Sequence, residues 1–126
     1  MSALAIVGSR FVNHDSEDSY KLIEKEVLQL ERSTGISFKT IVSGGAKGID
    51  KIAEKFAERH RRAMLVFEPN YSKYPSRQAP IIRNTQIVDH ANYMLAYPKG
   101  RSPGTRDSIR KARAAGLHVI VRELSE

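Results

Sequence analysis

The chain alternates between short runs of apolar residues and longer segments in which apolar residues recur every three or four positions. A continuous apolar run of about four to eight residues is typical of a strand buried on both faces, and the longer period is typical of an amphipathic helix. The sequence therefore predicts nine alternating elements. The strands are expected at residues 3–8, 38–43, 63–67, 92–97 and 117–122, and the helices at residues 15–34, 47–60, 80–89 and 104–115.

Strands that alternate with helices indicate βαβ units, and hence an α/β fold whose parallel sheet is covered by helices on both faces. Right-handed crossovers and a single reversal of winding predict a five-stranded sheet of order 3-2-1-4-5 in a three-layer, Rossmann-like arrangement. We expect residues 1–126 to form a single domain, because the sequence contains no repeat, low-complexity tract or credible linker.

In sheets of this kind, ligands bind beyond the carboxyl ends of the strands, at the point where the winding direction reverses. That rule selects three loops, at residues 8–10, 43–48 and 98–105. Most of the glycines of the chain lie in the same three loops. The agreement between topology and glycine positions is the first indication of a functional site.

The charge distribution adds a second indication. The chain carries 21 Lys and Arg residues against 14 Asp and Glu residues, a formal net charge of +7. Most of the excess lies between residues 97 and 122, where seven cations stand against one acid. Such a segment suits the phosphates of a small ligand or of a nucleic acid, and a solvated helix face explains it equally well.

Composition also excludes several classes of site. The chain has no cysteine, which excludes a disulfide, a thiolate metal site and a cysteine nucleophile. No apolar run approaches the roughly 18 residues that span a bilayer, so we expect a cytoplasmic protein with no membrane partner. The four histidines lack metal-ligand spacing, so neither a metal nor another cofactor is predicted.

The loop "SGGAKG" at residues 43–48 leads directly from a strand into a helix. The first N–H groups of a helix have no partner within it and lie at the positive end of its dipole, so they favour an anion. The spacing is neither that of a P-loop nor a strict G-x-G-x-x-G, and a tight turn without a ligand is the alternative. The candidate phosphate-binding residues in this loop are Ser43, Gly44, Gly45, Lys47 and Gly48.

The loop "PKGRSPGT" at residues 98–105 repeats the arrangement, with a proline suited to the start of a helix. We expect Gly100, Gly104 and Thr105 to contact a phosphate. Two cations in the same loop, Lys99 and Arg101, add positive charge or are merely solvated. The alternative role for Thr105 is a local helix cap.

Three further polar residues belong near these loops. Arg83 offers a planar fork for a phosphate, and Asn84 can read the edge of a base or a ribose. Asp50, at the start of the second helix, could accept a hydrogen bond from a ribose hydroxyl or only complement the helix dipole. For Arg83 and Asn84 the alternative is a solvated helix start.

The last predicted helix carries a stripe of arginines. Arg106, Arg110 and Arg113 fall at positions i, i+4 and i+7, about 100° from the apolar face of that helix. The stripe is either plain surface or a site that follows the backbone of a nucleic acid.

Four stretches together resemble a known group of proteins: "AIVGSR", "IVSGGAKGIDKIAEKFA", "NYSKYPSRQAPIIRN" and "MLAYPKGRSPGTRDSIRKARAAGLHVIV". The chain resembles the SLOG superfamily, which contains the DNA-processing protein DprA/Smf, the LOG cytokinin-activating phosphoribohydrolases and YspA-type domains, and it is most similar to the small YspA-like branch. The resemblance covers nearly the whole chain and implies a nucleotide or nucleotide-derived ligand over the strand ends. The residues that it assigns to the ligand are Gly8, Ser9, Arg10, Ser43, Gly44, Gly45, Gly48, Asp50, Arg83, Asn84, Gly104 and Thr105.

One departure from that resemblance concerns catalysis. The phosphoribohydrolases carry a glutamate in a PGG-x-GT-x-x-E loop, and Ser108 stands at that position here. Asp107 lies one residue earlier, which on a helix turns the side chain by about 100°. Asp107 is therefore the candidate catalytic residue only for a different pose of the substrate.

Three functions follow as hypotheses. The first is binding of a nucleotide or ADP-ribose-like ligand, as a sensor, carrier or sequestering protein. The second is hydrolysis of the N-glycosidic bond of a nucleotide, with Asp107 or Asp50 as the acid. The third is single-stranded nucleic-acid binding, as in the DprA relatives, through the basic C-terminal face. Small members of this superfamily often pair, so a homodimer or higher homo-oligomer is a further expectation.

Overall fold

The computed structural model describes residues 2–125 and contains the nine alternating elements. Their bounds are β1 (Ala3–Gly8), α1 (Glu17–Thr34), β2 (Thr40–Ser43), α2 (Ile49–Arg59), β3 (Ala63–Val66), α3 (Ala79–Asp89), β4 (Tyr93–Tyr97), α4 (Pro103–Ala114) and β5 (His118–Val121).

All strand pairs are parallel, and the strand order is β3-β2-β1-β4-β5. The α/β fold class and the order expected from the sequence are confirmed. Alternate residues of β1 point to opposite faces: Leu4 and Ile6 pack with α1 and α2, and Ala5 and Val7 pack with α3 and α4. Two apolar cores thus hold the three layers together, and they fix the carboxyl ends of β1 and β4 side by side.

The helices begin and end within a few residues of the expected positions. α1 begins at Glu17, two residues later than expected, because Ser16 is its N-cap and the Ser16 Oγ accepts a hydrogen bond from the Ser19 N–H. α2 likewise begins at Ile49, since Gly48 has φ of 74° and cannot belong to the helix. α1 ends at Gly35, its C-cap, which has φ of 73° and donates its N–H to the Glu31 carbonyl.

Four of the five strands are shorter than the apolar runs that predict them, and β1 has the predicted bounds. Phe38 was expected in β2 but precedes it, and its N–H donates to the Glu31 carboxylate. The Phe38 side chain is nevertheless fully buried in the core. The apolar run therefore reports burial correctly but overestimates the length of the strand.

Helices lie on both faces of the sheet as expected, and the edge strand β3 is the part that they cover least. Leu65 is 40% exposed and Val66 is 39% exposed. The reason is that α3 packs chiefly against α4 rather than over β3, so the edge strand is only partly covered. Within residues 2–125, no helix is long and apolar enough to cross a membrane.

Candidate functional site

The loops that follow β1, β2 and β4 enclose a cavity of about 770 Å³. It lies at the point where the chain order in the sheet reverses, between β1 and β4. The three loops selected from the sequence therefore meet around one space. Eight of the expected site residues line it: Gly8, Ser9, Arg10, Asp50, Arg83, Asn84, Gly104 and Thr105.

The N-terminus of α4 presents free hydrogen-bond donors to this cavity. Ser102 is the N-cap residue, but its Oγ bonds to the backbone of Lys99 and leaves the helix without a side-chain cap. Within the described chain, the N–H groups of Gly104 and Thr105 have no acceptor. These two donors lie at the positive end of the helix dipole, which suits an anion.

Thr105 adds a third donor at the same place. The residue is only 8% exposed, and its hydroxyl makes no hydrogen bond to any part of residues 2–125. The local cap that the sequence allowed for Thr105 is therefore not formed. An unbonded hydroxyl on the wall of a cavity is available to a ligand.

The loop after β2 differs from its sequence-based interpretation. The Ala46 N–H donates to Asp50 Oδ2 at 3.1 Å, the Gly48 N–H to His14 Nδ1 at 3.3 Å, and the Ile49 N–H to the Ser9 carbonyl at 3.1 Å. These groups are thus satisfied within the protein and are not free for a phosphate. From this loop and the first turn of α2, Ala46 and Asp50 line the cavity.

The remaining residues proposed from the two glycine loops lie outside the cavity lining: Ser43, Gly44, Gly45, Lys47, Gly48 and Gly100. Two of the glycines have an evident packing role. A Cβ at Gly48 would collide with the Ser9 carbonyl, and a Cβ at Gly44 would lie 2.5 Å from Arg83 Nη1. These glycines let the loop after β2 approach its neighbours closely, which supports the cavity from behind.

Arg83, on α3, lines the cavity. Its Nη1 donates to the Gly44 carbonyl at 2.6 Å, and its Nε donates to Asn84 Oδ1 at 3.0 Å. Burial lowers the pKa of Arg83, the negative charge of Asp50 raises it, and the positive charge of Arg10 lowers it again. Both guanidinium groups line the cavity, and an anion bound there would offset the unfavourable effect of Arg10 on the charge of Arg83.

Asp50 is a buried carboxyl beneath the same cavity. Burial raises the pKa of Asp50 to about 6, although hydrogen bonds from the Ala46 and Gly44 N–H groups and the charge of Arg83 act in the opposite direction. These N–H groups belong to the loop after β2, so Asp50 holds that loop in place. This is a structural role that the sequence did not reveal.

Asn84 joins α3 to α4. Its Nδ2 donates to the Gly104 carbonyl at 3.2 Å and to Asp107 Oδ2 at 3.0 Å. Asp107 also pairs with Lys111 at 3.0 Å. Ser108 lines the cavity and Asp107 does not, so the structure places the candidate acid outside the cavity, among these partners.

Four further residues that line the cavity are three cations and one aromatic residue. Arg10 and Arg101 are exposed, Lys99 is half-buried, and Phe11 is 78% exposed. Phe11 was missed in the sequence, although a large apolar residue directly after Gly-Ser-Arg, outside any apolar period, was an available signal. The cavity thus combines cations with an exposed aromatic ring.

The three arginines of the α4 stripe are regularly spaced, but they differ in their ion pairs and exposure. Arg106 forms a bidentate pair with Glu123 and donates to the Gly100 carbonyl, which neutralises its charge. Arg110 lies 3.6 Å from Asp107, and Arg113 is exposed. Of the three, Arg113 retains the character of a solvated cation.

Comparison with known proteins places this site in a family. The family model described as DNA recombination-mediator protein A matches residues 1–117, which is most of the chain. The chain belongs to this family. The DprA side of the resemblance is thereby confirmed, whereas the YspA-like branch is not.

One known protein is similar to this chain in sequence, and two solved structures are similar to it in fold. The gene 61 protein of Mycobacterium phage D29 is 36% identical over 85 residues, which cover 64% of this chain and 68% of that protein. The structure of DprA from Streptococcus pneumoniae matches with a TM-score of 0.72 at 23% identity, over 96% of this chain and 50% of that one. This chain therefore spans about half the length of the pneumococcal protein.

A second DprA structure has a similar fold. The protein from Helicobacter pylori, whose structure describes a single-stranded DNA binding mode, matches with a TM-score of 0.63 at 19% identity. The match covers 95% of this chain and 64% of that one. At this level of identity the likeness establishes the fold alone.

Proposed function

We propose that this protein binds single-stranded nucleic acid at the cavity, with one backbone phosphate on the N-terminus of α4. The observation that carries the proposal is the set of free donors there: the Gly104 and Thr105 N–H groups and the unbonded Thr105 hydroxyl. Donors that are fixed before binding lose little entropy when an anion arrives. A phosphate oxygen accepts hydrogen bonds from N–H and from hydroxyl groups.

The charges around these donors support the same ligand. Arg10, Arg83, Lys99 and Arg101 line the cavity together with one acid, Asp50, whose carboxyl is bonded to backbone N–H groups. Asp50 offsets part of the charge of Arg83, and the four cations still outnumber this one acid. A polyanion placed here gains attraction from several cations at once, which makes its affinity depend steeply on salt.

The exposed ring of Phe11 favours a single strand over an isolated phosphate. Aromatic side chains beside a basic groove stack on bases whose faces are free, as they are in a single strand. The DprA structure from Helicobacter pylori is described by its single-stranded DNA binding. Membership of the same family supports this class of ligand for the present chain.

Fluorescence anisotropy with a labelled oligothymidylate of about 20 nucleotides, longer than typical single-strand sites, tests the proposal. Arg10→Ala and Arg101→Ala should each weaken binding and reduce the slope of log affinity against log salt by about one. Arg113→Ala, which removes an exposed cation of α4 outside the cavity, is the matched control. If Arg113→Ala weakens binding and Arg10→Ala does not, the nucleic acid follows the helix stripe instead.

A free nucleotide is the second candidate, because a cavity of about 770 Å³ has the size of pockets that enclose one small ligand. Here the protein would act as a sensor, carrier or sequestering protein for a nucleotide or ADP-ribose-like molecule. A competition experiment between a mononucleotide and the labelled oligonucleotide distinguishes the two candidate ligands. A mononucleotide that displaces the oligonucleotide fully, with an affinity that does not rise with strand length, favours the free ligand.

A further inference from the structure

A second cavity, of about 480 Å³, adjoins the first on the α1 side of the sheet. Its walls are largely apolar and include Val12, Ile23 and Ile49, and Leu22, which is 69% exposed, stands at its rim. The two cavities have Phe11 and Lys99 in common. The two cavities are therefore neighbours, separated by no more than these two side chains.

The hydroxyl of Tyr97 is the unusual group in this second cavity. Tyr97 lies at the carboxyl end of β4 and is only 5% exposed, and its Oη is buried without a hydrogen-bond partner in residues 2–125. Burial raises the pKa of Tyr97, with the charge of Glu26 acting in the same direction and that of Arg122 in the other. A buried hydroxyl left unpaired costs free energy.

The two charged neighbours do not satisfy this hydroxyl, because they satisfy each other. Arg122 Nε donates to Glu26 Oε1 at 2.8 Å. The cavity thus has apolar walls, one unsatisfied hydroxyl that can donate or accept, and an ion pair beside it. A flat apolar ring with polar atoms on its edge is complementary to this combination.

We propose that the second cavity takes one unstacked nucleobase of the strand whose phosphate occupies the first cavity. This inference rests on the proposed function. A single nucleotide carries an anion and a ring on one sugar, so it can place its phosphate among the cations of the first cavity and its base against the apolar walls of the second. Lys99, which lines both cavities, lies beside the connection between them.

The hydroxyl of Tyr97 then bonds to the edge of the base. Because a hydroxyl can donate or accept, this contact does not select one base strongly, and we expect little sequence preference. The base loses its stacking in the free strand, and the apolar walls replace those contacts.

The test compares an oligothymidylate with an abasic strand of the same length and charge, using the wild type and Tyr97→Phe. The wild type should bind the normal strand more tightly than the abasic one. Tyr97→Phe should weaken binding of the normal strand about fivefold, the usual value of one hydrogen bond, and leave the abasic strand unaffected. The variant should fold normally, since the hydroxyl has no partner to lose.

A second pair of variants tests the walls. Leu22→Ser removes an exposed apolar side chain at the rim of the second cavity, and Ile81→Ser removes one that is 49% exposed on α3, away from both cavities. Only Leu22→Ser should reduce the preference for the normal strand.

The outcomes separate the two proposals. If the wild type binds the normal and abasic strands equally, or if Tyr97→Phe weakens both strands to the same extent, the base cavity is wrong while backbone binding stands. If the wild type binds neither strand, the proposed function itself fails.

Discussion

At the scale of single residues, the glycines in the loop after β2 make room for protein groups. Gly48 has φ of 74°, and a Cβ there would meet the Ser9 carbonyl. At Gly44 a Cβ would meet the guanidinium of Arg83. The glycines therefore support the cavity indirectly, because they allow the loop after β2 to lie close to Ser9 and Arg83.

Gly48→Ala should lower the free energy of unfolding by about 2 kcal/mol or more, because it combines a left-handed φ with a backbone collision. Gly104→Ala is the matched control, since a Cβ at Gly104 has no atom within 4 Å. In the first turn of α4, alanine should stabilise the protein by about 0.5 kcal/mol. Urea unfolding of both variants checks this, and equal effects would contradict the packing role of Gly48.

The carboxyl of Asp50 makes stability depend on pH. Its folded pKa of about 6 lies above the ordinary aspartate value of 3.8, so the contribution of its protonated form to stability is fully present below about pH 4 and is lost as the pH rises to about 6. Asp50→Asn does not titrate. The stability of this variant relative to wild type should therefore rise by up to about 3 kcal/mol between pH 4 and pH 7.

Urea unfolding at several pH values measures that difference. Any constant effect of the amide on the loop cancels when the two proteins are compared across pH. A constant difference would show that Asp50 has an ordinary pKa, and a difference that falls as the pH rises would show that its pKa is lowered; either result would contradict the raised pKa.

At the scale of elements, α3 determines where the N-terminus of α4 lies. Asn84 is 4% exposed, and its Nδ2 donates to the Gly104 carbonyl in the first turn of α4. The preceding residue, Arg83, bonds to the Gly44 carbonyl in the loop after β2. Two consecutive residues of one helix thus connect the two glycine loops.

Asn84→Ala should destabilise the protein by about 2 kcal/mol, because it leaves buried partners without their hydrogen bonds. It should also weaken oligonucleotide binding, since the donors of α4 lose their support. Thr85→Ala, at the exposed next position of the same helix, should change stability by less than about 0.5 kcal/mol. If Asn84→Ala bound the oligonucleotide as tightly as the wild type, α4 would be positioned without help from α3.

The elements and their order were predictable because they depend on local periodicity. The apolar runs at β1, β2 and β4 and the glycine at the end of α1 carry their own signal. Whether the N–H groups of the loops are free or hydrogen-bonded was not predictable in the same way. The Gly48 N–H is bonded to His14, 34 positions away, so its partner depends on the folded chain.

The second cavity was likewise beyond prediction from the sequence. Tyr97 reads as the last apolar residue of a buried strand, and nothing in its neighbours marks its hydroxyl as unpaired. Only the approach of α1 and of residues 122–125 encloses that space. The rule about strand ends predicted the place of the site, and tertiary contacts determined its lining.

At the scale of the whole molecule, the reversal between β1 and β4 brings free helix donors, four cations and an exposed ring to one end of the sheet. The cations that favour anion binding are therefore those beside these donors. The net charge of +7 does not by itself locate a binding site. Arg106 shows the contrast, because its charge is neutralised by Glu123.

The most direct measurement is oligonucleotide binding by Gly104→Asp, compared with Gly104→Ala. Because a side chain at this position meets open space and an acid in the first turn of a helix is favourable, the melting temperature should not fall. The carboxylate would occupy the place of the phosphate, so the account predicts that Gly104→Asp loses binding while Gly104→Ala retains it. Undiminished binding by a folded Gly104→Asp would contradict the account.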